Sequence, residues 1–379
     1  MPTLFVPRES KAGETRVAAT PETVKQLVKA GLKVEIESGA GVPASFVDAG
    51  YQAVGAALVG PDAWGTADIV AKVAPPSQAE LARLKQGAVL ISFMTPSANL
   101  PIVAALRERG VSTLAMELIP RITRAQAMDA LSSQATVAGY KAVLLGASHL
   151  AKMCPLLMTA AGTVPPAKCV VFGAGVAGLQ AIATAKRLGC SVEAPDVRLA
   201  AREQVLSLGA KFIDVPGMGD MEDKGGYAKE QTPEFLEKQR QEVAKRVAEA
   251  DLVITTAQIP GRPAPKLVSR AMVESMKAGA VLVDLAVESG GNCELAKLGE
   301  VVVHQGVKIV GIPNLPATVP YHASELYAKN VLNLVKLFVQ KDGSLNLEFK
   351  DEVLAGCLLT HAGEVPHKAT AEALLAGAK

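Results

Sequence analysis

Lys168-Cys-Val-Val-Phe172-Gly173-Ala-Gly175-Val176-Ala-Gly178-Leu-Gln-Ala181 is the stretch that decides the fold. A short apolar run with β-branched residues meets three glycines spaced G-x-G-x-x-G, and an Ala- and Leu-rich helical pattern follows. The order strand, turn, helix gives each glycine a task. Gly173 allows the tight turn, Gly175 lets backbone approach a pyrophosphate, and Gly178 lets the helix pack on the strand. The helix N-terminus then offers free amides such as that of Val176. By itself the glycine spacing is a weak signal. It gains force from Asp196, which ends the next strand, Ser191 to Ala194, at the roughly 20-residue distance expected of an acid that accepts from ribose hydroxyls. A dinucleotide fits this arrangement; a glycine turn used only for packing is the alternative.

Asp196, Val197 and Arg198 are the candidate segment for the adenosine side. The carboxylate of Asp196 repels a 2′-phosphate, which favours NAD over NADP, whereas Arg198 fits either a phosphate or a simple pairing with Asp196 or solvent.

Outward from this motif the alternation continues. Lys211 to Val215, Asp251 to Thr255, Ala280 to Leu285 and Val307 to Val310 read as further strands with helices between. Upstream, Leu4 to Val6, Lys33 to Glu37, Ile69 to Val73, Val89 to Phe93 and Ser112 to Leu118 form an earlier series of the same kind. One of its helices is well marked, with Thr20 as N-cap, Pro21 at the first helical position and Gly31 as the stop. The class is therefore α/β, with two Rossmann-like, doubly wound parallel sheets. Thr123 to Leu150 lacks a strand signal and reads as one long helix joining the two. The amphipathic stretch Ala323 to Val339 reads as a helix returning to the first domain. The expected division is residues 1–125 plus 325–379 for the first domain and 140–315 for the nucleotide-binding one, with a cleft between them.

A chain of 379 residues suits two domains, and 49% hydrophobic with 20% charged residues excludes a disordered or fibrous protein. Lys plus Arg 39 against Asp plus Glu 37 leaves a net charge of +2, which argues against nucleic acid as a partner. No apolar run reaches the ~18–20 residues of a bilayer span. The start, Met1-Pro-Thr-Leu-Phe-Val-Pro-Arg-Glu9, lacks the basic and apolar regions of a secretory signal, so the expected location is cytoplasmic. Cys154, Cys169, Cys190, Cys293 and Cys357 are odd in number and without C-x-x-C spacing, so they read as reduced core residues. The five histidines show neither H-x-x-x-H nor mixed Cys/His spacing, and no metal site is expected.

A second constellation lies in Pro120-Arg121-Ile-Thr123-Arg-Ala-Gln126-Ala-Met-Asp129-Ala-Leu-Ser132-Ser133-Gln134. On one helix Gln126, Asp129 and Ser132 or Ser133 would share a face, with Arg121 in the loop before it. Thr123-x-x-Gln126 also fits a capping box, in which Gln126 serves backbone amides, and Asp129 also fits a solvated first-turn charge.

Several of these stretches together resemble a known family. Arg121 to Ala142, Ala161-Gly-Thr-Val-Pro-Pro-Ala167, Phe172 to Gly189 and Asp284-Leu-Ala-Val-Glu-Ser-Gly-Gly-Asn292 are similar to the NAD(H)-binding alpha subunit of proton-translocating NAD(P) transhydrogenase, and the likeness covers nearly the whole chain. The resemblance implies that Arg121, Gln126 and Asp129 hold the nicotinamide ring of NAD(H) near NADP(H) carried by a partner, with Ser132 close by. It assigns Gly226 and Tyr227, within Gly225-Gly-Tyr-Ala-Lys-Glu230, to a mobile loop closing over the nucleotide. It also implies a homodimer docked, through membrane-embedded subunits, on the cytoplasmic face of the inner membrane, with an NADP(H)-binding domain as partner.

Alanine dehydrogenase is a more distant likeness. Arg16 and Lys72 match the substrate-binding arginine and lysine of those enzymes, yet Val89-Leu-Ile-Ser-Phe-Met94-Thr-Pro has no histidine where they place a catalytic one. Oxidation of an amino acid needs an acid–base group at the carbonyl carbon, whereas hydride exchange between two nicotinamides needs only positioning and exclusion of water. Arg16 and Lys72 are then expected as structural ion-pair residues. The chain departs from the resembled pattern at Pro195, where a Thr is usual, and at Gln258, where an apolar residue is. An amino-acid dehydrogenase acting alone and a nucleotide-sensing module that transfers nothing are the competing readings.

Overall fold

The computed structural model describes residues 1–196, 198–214, 233–258, 262–340 and 342–377. The chain divides into two units, Met1–Gln134 with Pro316–Lys379, and Ala135–Leu315.

The first unit begins with β1 (Thr3–Val6), β2 (Lys33–Glu37), β3 (Ala57–Val59), β4 (Ile69–Ala71), β5 (Val89–Ser92) and β6 (Ser112–Ala115). These lie in the order β6-β5-β4-β1-β2-β3, all parallel. The second unit opens with an antiparallel ribbon, β7 (Leu157–Thr159) and β8 (Gly162–Val164). It continues with β9 (Lys168–Phe172), β10 (Ser191–Ala194), β11 (Lys211–Phe212), β12 (Leu252–Thr255), β13 (Val281–Asp284), β14 (Val301–His304) and β15 (Val307–Val310). Its sheet runs β11-β10-β9-β12-β13-β15-β14, parallel except for the β14 edge. The chain then returns to the first sheet with β16 (Leu358–Thr360), antiparallel to β6. Read outward from its first strand, each sheet has the doubly wound order 3-2-1-4-5-6, closed by one antiparallel strand.

Alternation of side chains explains why both faces of each sheet are covered. In β5, Val89 and Ile91 enter the core on one face while Leu90 enters the core on the other, and all three are fully buried. In β9 the pairs Cys169/Val171 and Val170/Phe172 divide in the same way. A strand buried on both sides reads as a continuous apolar run, which is why these strands were legible. Truncating one such residue, Leu90 to Ala, removes contacts from a filled core and costs about 2–5 kcal/mol.

The structure corrects the long helix expected from Thr123 to Leu150. A 3₁₀ segment, Thr123–Met128, is followed by an α-helix, Ala130–His149, and Asp129 between them has ψ of 87°. The break comes from Asp129 acting as an N-cap: its Oδ1 accepts the Ser132 N–H at 2.9 Å, satisfying one donor of the new helix. The sequence reading also omitted β3, the β7–β8 ribbon and the two antiparallel strands β14 and β16. It ran the strand at Ser112 on to Leu118, where the structure turns into a 3₁₀ segment at Met116–Leu118.

Candidate functional site

Gly173, at the end of β9, has φ of 89°, and a Cβ there would stand 2.9 Å from the Thr256 hydroxyl. Gly175 is the N-cap of the Val176–Arg187 helix and has no side-chain cap. A Cβ on Gly175 would meet nothing within 4 Å, whereas one on Gly178 would lie 1.8 Å from the Gly173 carbonyl oxygen. The three glycines thus do different things: one turns, one leaves space above the helix N-terminus, one permits close packing. Open space beside an uncapped helix start, with Val176 exposed at its first position, fits a pyrophosphate.

Asp196 reaches back to this turn. Its Oδ2 accepts the Ala174 N–H at 2.6 Å and the Arg198 Nη2 at 2.8 Å, while Oδ1 accepts the N–H and the Nε of Arg198, both at 2.9 Å. Burial pushes the carboxyl up, but the Arg198 guanidinium and these amides outweigh it and hold the group below the usual carboxylate range. All four acceptor sites of the carboxylate are engaged, two of them by a side chain that can move. Ribose hydroxyls can therefore take the places of the guanidinium donors without disturbing the backbone bonds. Of the alternatives for Arg198, the structure has the pairing with Asp196. Pro195 is accommodated as well, since its carbonyl accepts the Gly173 N–H at 3.2 Å and its own missing donor is not called on.

Two residues that support the turn had no role in the sequence reading. Thr256, just past β12, donates its hydroxyl to the Phe172 carbonyl at 2.9 Å. Asn292 accepts from the Ala257 N–H at 3.0 Å and donates to the Ala257 and Pro265 carbonyls at 2.8 and 2.9 Å. Asp284, buried, accepts from the Ala286 and Cys293 amides and so folds the Gly290-Gly291 corner that presents Asn292. The signal was present in Asp284-Leu-Ala-Val-Glu-Ser-Gly-Gly-Asn292, a run with an acid, two glycines and an amide. Gln258 is exposed and donates to the Leu285 carbonyl at 2.9 Å.

In the first unit, Arg121 is exposed on the loop before the 3₁₀ segment, and Gln126 is exposed on it. Ala125 and Met128 are buried in the core beneath. Gln126, Asp129 and Ser132 therefore do not share one helix face. Instead Asp129 bonds directly to Ser132, accepting the hydroxyl on Oδ2 at 2.5 Å as well as the N–H on Oδ1. Neither the capping box at Thr123 nor a merely solvated Asp129 describes what is found: Ile122 stands before the 3₁₀ segment without a side-chain cap bond, and Asp129 caps the helix after it. Val197, Gly226 and Tyr227 lie outside the described residues. Among the described residues no group of three His, Cys, Asp or Glu side chains is placed to hold a metal ion. All five cysteines are buried and free of disulfides. No helix among the described residues is long and apolar enough to cross a membrane.

A glycine turn at the β9/β12 switch point, an acid locked to it and two similarly wound sheets invite comparison with known proteins. The family described as alanine dehydrogenase/PNT matches by its N-terminal domain over residues 5–138 and by its C-terminal domain over residues 142–368. The chain belongs to the alanine dehydrogenase/PNT family. Among members of the family, an NAD(P) transhydrogenase subunit alpha chain of Rhodospirillum rubrum is 50% identical over 376 residues, 97% of this chain and 98% of that protein. The crystal structure of a transhydrogenase from Sinorhizobium meliloti superposes with a TM-score of 0.89 at 48% identity, covering 96% of this chain and 99% of the other. An L-alanine dehydrogenase structure gives 0.83 at 28% identity over the full length of both chains.

The two branches of the alanine dehydrogenase/PNT family share the fold, so residues must separate them. Met94 is fully buried, with the Ser92 hydroxyl 3.1 Å from its sulfur, and its N–H and that of Thr95 are held by the Glu117 carboxylate. Lys72, fully buried, pairs with Glu9 at 3.1 Å and Glu80 at 3.2 Å. Arg16 is clasped by Glu14 through Nε at 2.7 Å and Nη2 at 2.6 Å. Both cations stand in buried ion pairs, as expected of structural residues.

Proposed function

We propose that this chain is the NAD(H)-binding component of a proton-translocating NAD(P) transhydrogenase, passing hydride between NAD(H) held here and NADP(H) held by a partner. The observation that carries the reading is 50% identity along nearly all of the Rhodospirillum rubrum transhydrogenase alpha chain, against 28% to an alanine dehydrogenase structure. Met94 supports it, because a thioether cannot move the proton that amino-acid oxidation requires.

On this reading residues 140–315 are the NAD(H)-binding domain, and 1–125 with 325–379 form the other. Gly173, Gly175, Gly178 and the Val176 amide receive the pyrophosphate, and Asp196, with Val197 and Arg198, receives the adenosine ribose. Arg121, Gln126 and Asp129 act at the nicotinamide end, with Ser132 fixing the Asp129 carboxylate; Gly226 and Tyr227 close over the nucleotide. When bound, NAD(H) supplies the ring carbon that gives or takes the hydride. The protein's contribution is position: a guanidinium, an amide and a capped carboxylate orient the ring and keep water from it. Proton translocation belongs to membrane-embedded partner subunits, which hold the chain at the cytoplasmic face of the inner membrane.

The homodimer that accompanies this reading has a candidate surface in the β7–β8 ribbon. Leu156, Leu157, Met158 and Val164 are exposed there, Met158 at 78%. A short two-stranded ribbon has two unpaired edges, and a symmetric pair of such ribbons satisfies both.

The test against the amino-acid dehydrogenase reading uses the chain alone with NADH, pyruvate and ammonium. No NADH oxidation above background is expected; turnover there would overturn the proposal. In the presence of an NADP(H)-loaded partner domain, Gln126→Asn and Asp129→Asn are expected to slow hydride transfer while NADH affinity changes little. A sensing module without catalysis would leave every rate unmoved in these variants.

A further inference from the structure

Four side chains in the first unit join a buried cation to the carbonyl of Ala127. Arg16 Nη1 donates to Gln134 Oε1 at 2.8 Å, Gln134 Nε2 lies 3.3 Å from Ser133 Oγ, Ser133 Oγ donates to Asn330 Oδ1 at 2.7 Å, and Asn330 Nδ2 donates to the Ala127 carbonyl at 2.9 Å. Arg16, Gln134 and Asn330 are all buried. The direction of the chain is fixed at both ends by chemistry. A guanidinium can only donate, so the Gln134 oxygen faces Arg16 and its nitrogen faces Ser133; a carbonyl can only accept, so the Asn330 nitrogen faces Ala127 and its oxygen faces Ser133. The Ser133 hydroxyl then accepts from Gln134 and donates to Asn330. Every donor points the same way, from the cation to the carbonyl, and each bond polarises the next.

The chain straddles the break at Asp129. Ala127 lies in the 3₁₀ segment before it, and Ser133 lies in the first turn of the helix after it. Asn330, on the Pro320–Val335 helix, grips both sides. Gln126 and Asp129 sit on the piece of backbone between these grips and Arg121. We infer that Asn330 and Arg16 are positioning residues: through this one-directional chain they set the backbone that presents Gln126 and Asp129. The inference rests on the role proposed for those two residues.

Asn330→Asp is nearly isosteric and removes only the donor to Ala127, placing a carboxylate against a carbonyl. Amide hydrogen exchange on the chain alone reads the backbone directly. Residues 125–133 are expected to exchange about tenfold faster, while the second unit is unchanged. In hydride transfer with an NADP(H)-loaded partner domain, kcat is expected to fall about tenfold with NADH affinity within about twofold of wild type. The loss should shrink relative to wild type as pH falls, because protonation of the introduced carboxyl restores a donor. Ser133→Ala interrupts the chain at its centre and serves as the second variant should Asn330→Asp not fold. Unchanged exchange at 125–133 in a folded variant, or wild-type transfer despite faster exchange, would overturn the inference. A wild-type mixture without transfer would overturn the reading of Gln126 and Asp129 instead, and exchange would still decide whether the chain holds the segment.

Discussion

Gly175 and Gly178 stand three residues apart and are expected to answer the same added methyl group in different ways. At Gly178 the Cβ would fall 1.8 Å from a backbone carbonyl, so Gly178→Ala forces helix and strand apart and costs about 1–3 kcal/mol or more. At Gly175 nothing in the protein stands within 4 Å, so Gly175→Ala should leave thermal stability within about 1 kcal/mol of wild type and weaken NADH binding instead. Paired melting and binding curves check this; equal melting losses would remove the distinction between packing glycine and ligand glycine. Asp196 gives a second residue-scale prediction. Its carboxyl is held below the usual range in the folded chain, so the stability it contributes is present above the ordinary value of about 3.9 and is lost as pH falls through its depressed one. NADH affinity should owe no pH dependence to Asp196 between about pH 5 and pH 8, and Asp196→Ala should weaken it about tenfold or more by removing acceptors for the ribose. Arg198→Ala frees two acceptor sites and removes a cation, so preference for NADH over NADPH should sharpen. A titration with both nucleotides reads that ratio.

The elements that were legible in the sequence are those whose signal is local. β9, the glycine turn and the following helix could be read residue by residue, and fully buried strands such as β5 announced themselves as apolar runs. The misread elements depend on something distant or on competition. β14 and β16 are short strands at sheet edges, and β3, also at an edge, spans only Ala57–Val59. The helix expected from Thr123 broke at Asp129 because a capping carboxylate satisfied helix donors better than continuation did, and periodicity carries no record of that contest. In the candidate site, Asp196 was visible from its spacing, but its pairing with Arg198 and its bond to Ala174 were not; Thr256 and Asn292 act through the backbone of other loops and leave little mark. The β7–β8 ribbon carries the prediction at this scale. Met158→Asp places a charge on its most exposed apolar residue, and light scattering should show a shift from dimer to monomer with the melting temperature of each unit retained. A monomeric wild-type chain at micromolar concentration would contradict the assignment of this surface.

Taken whole, the molecule is built from two sheets wound in the same strand order, each closed by an antiparallel strand at the β6 or β15 edge. Only the second has the glycine turn at its switch point. The corresponding place in the first sheet, after β1 and β4, is occupied by the protein's own charges: Glu9 accepts the Val73 N–H at 2.6 Å and pairs with the buried Lys72. One unit thus presents nucleotide-binding backbone, and the other presents the segment bearing Arg121, Gln126 and Asp129. Membership of the alanine dehydrogenase/PNT family leaves two chemistries open, and the absence of a proton-moving side chain at Met94 selects between them. The most direct test mixes the purified chain with an NADPH-loaded partner domain and an oxidised NAD analogue whose reduced form absorbs apart from NADPH. Hydride transfer in the mixture, with none from NADH to pyruvate and ammonium on the chain alone, is the predicted result. Activity in the second assay without transfer in the first would contradict the account.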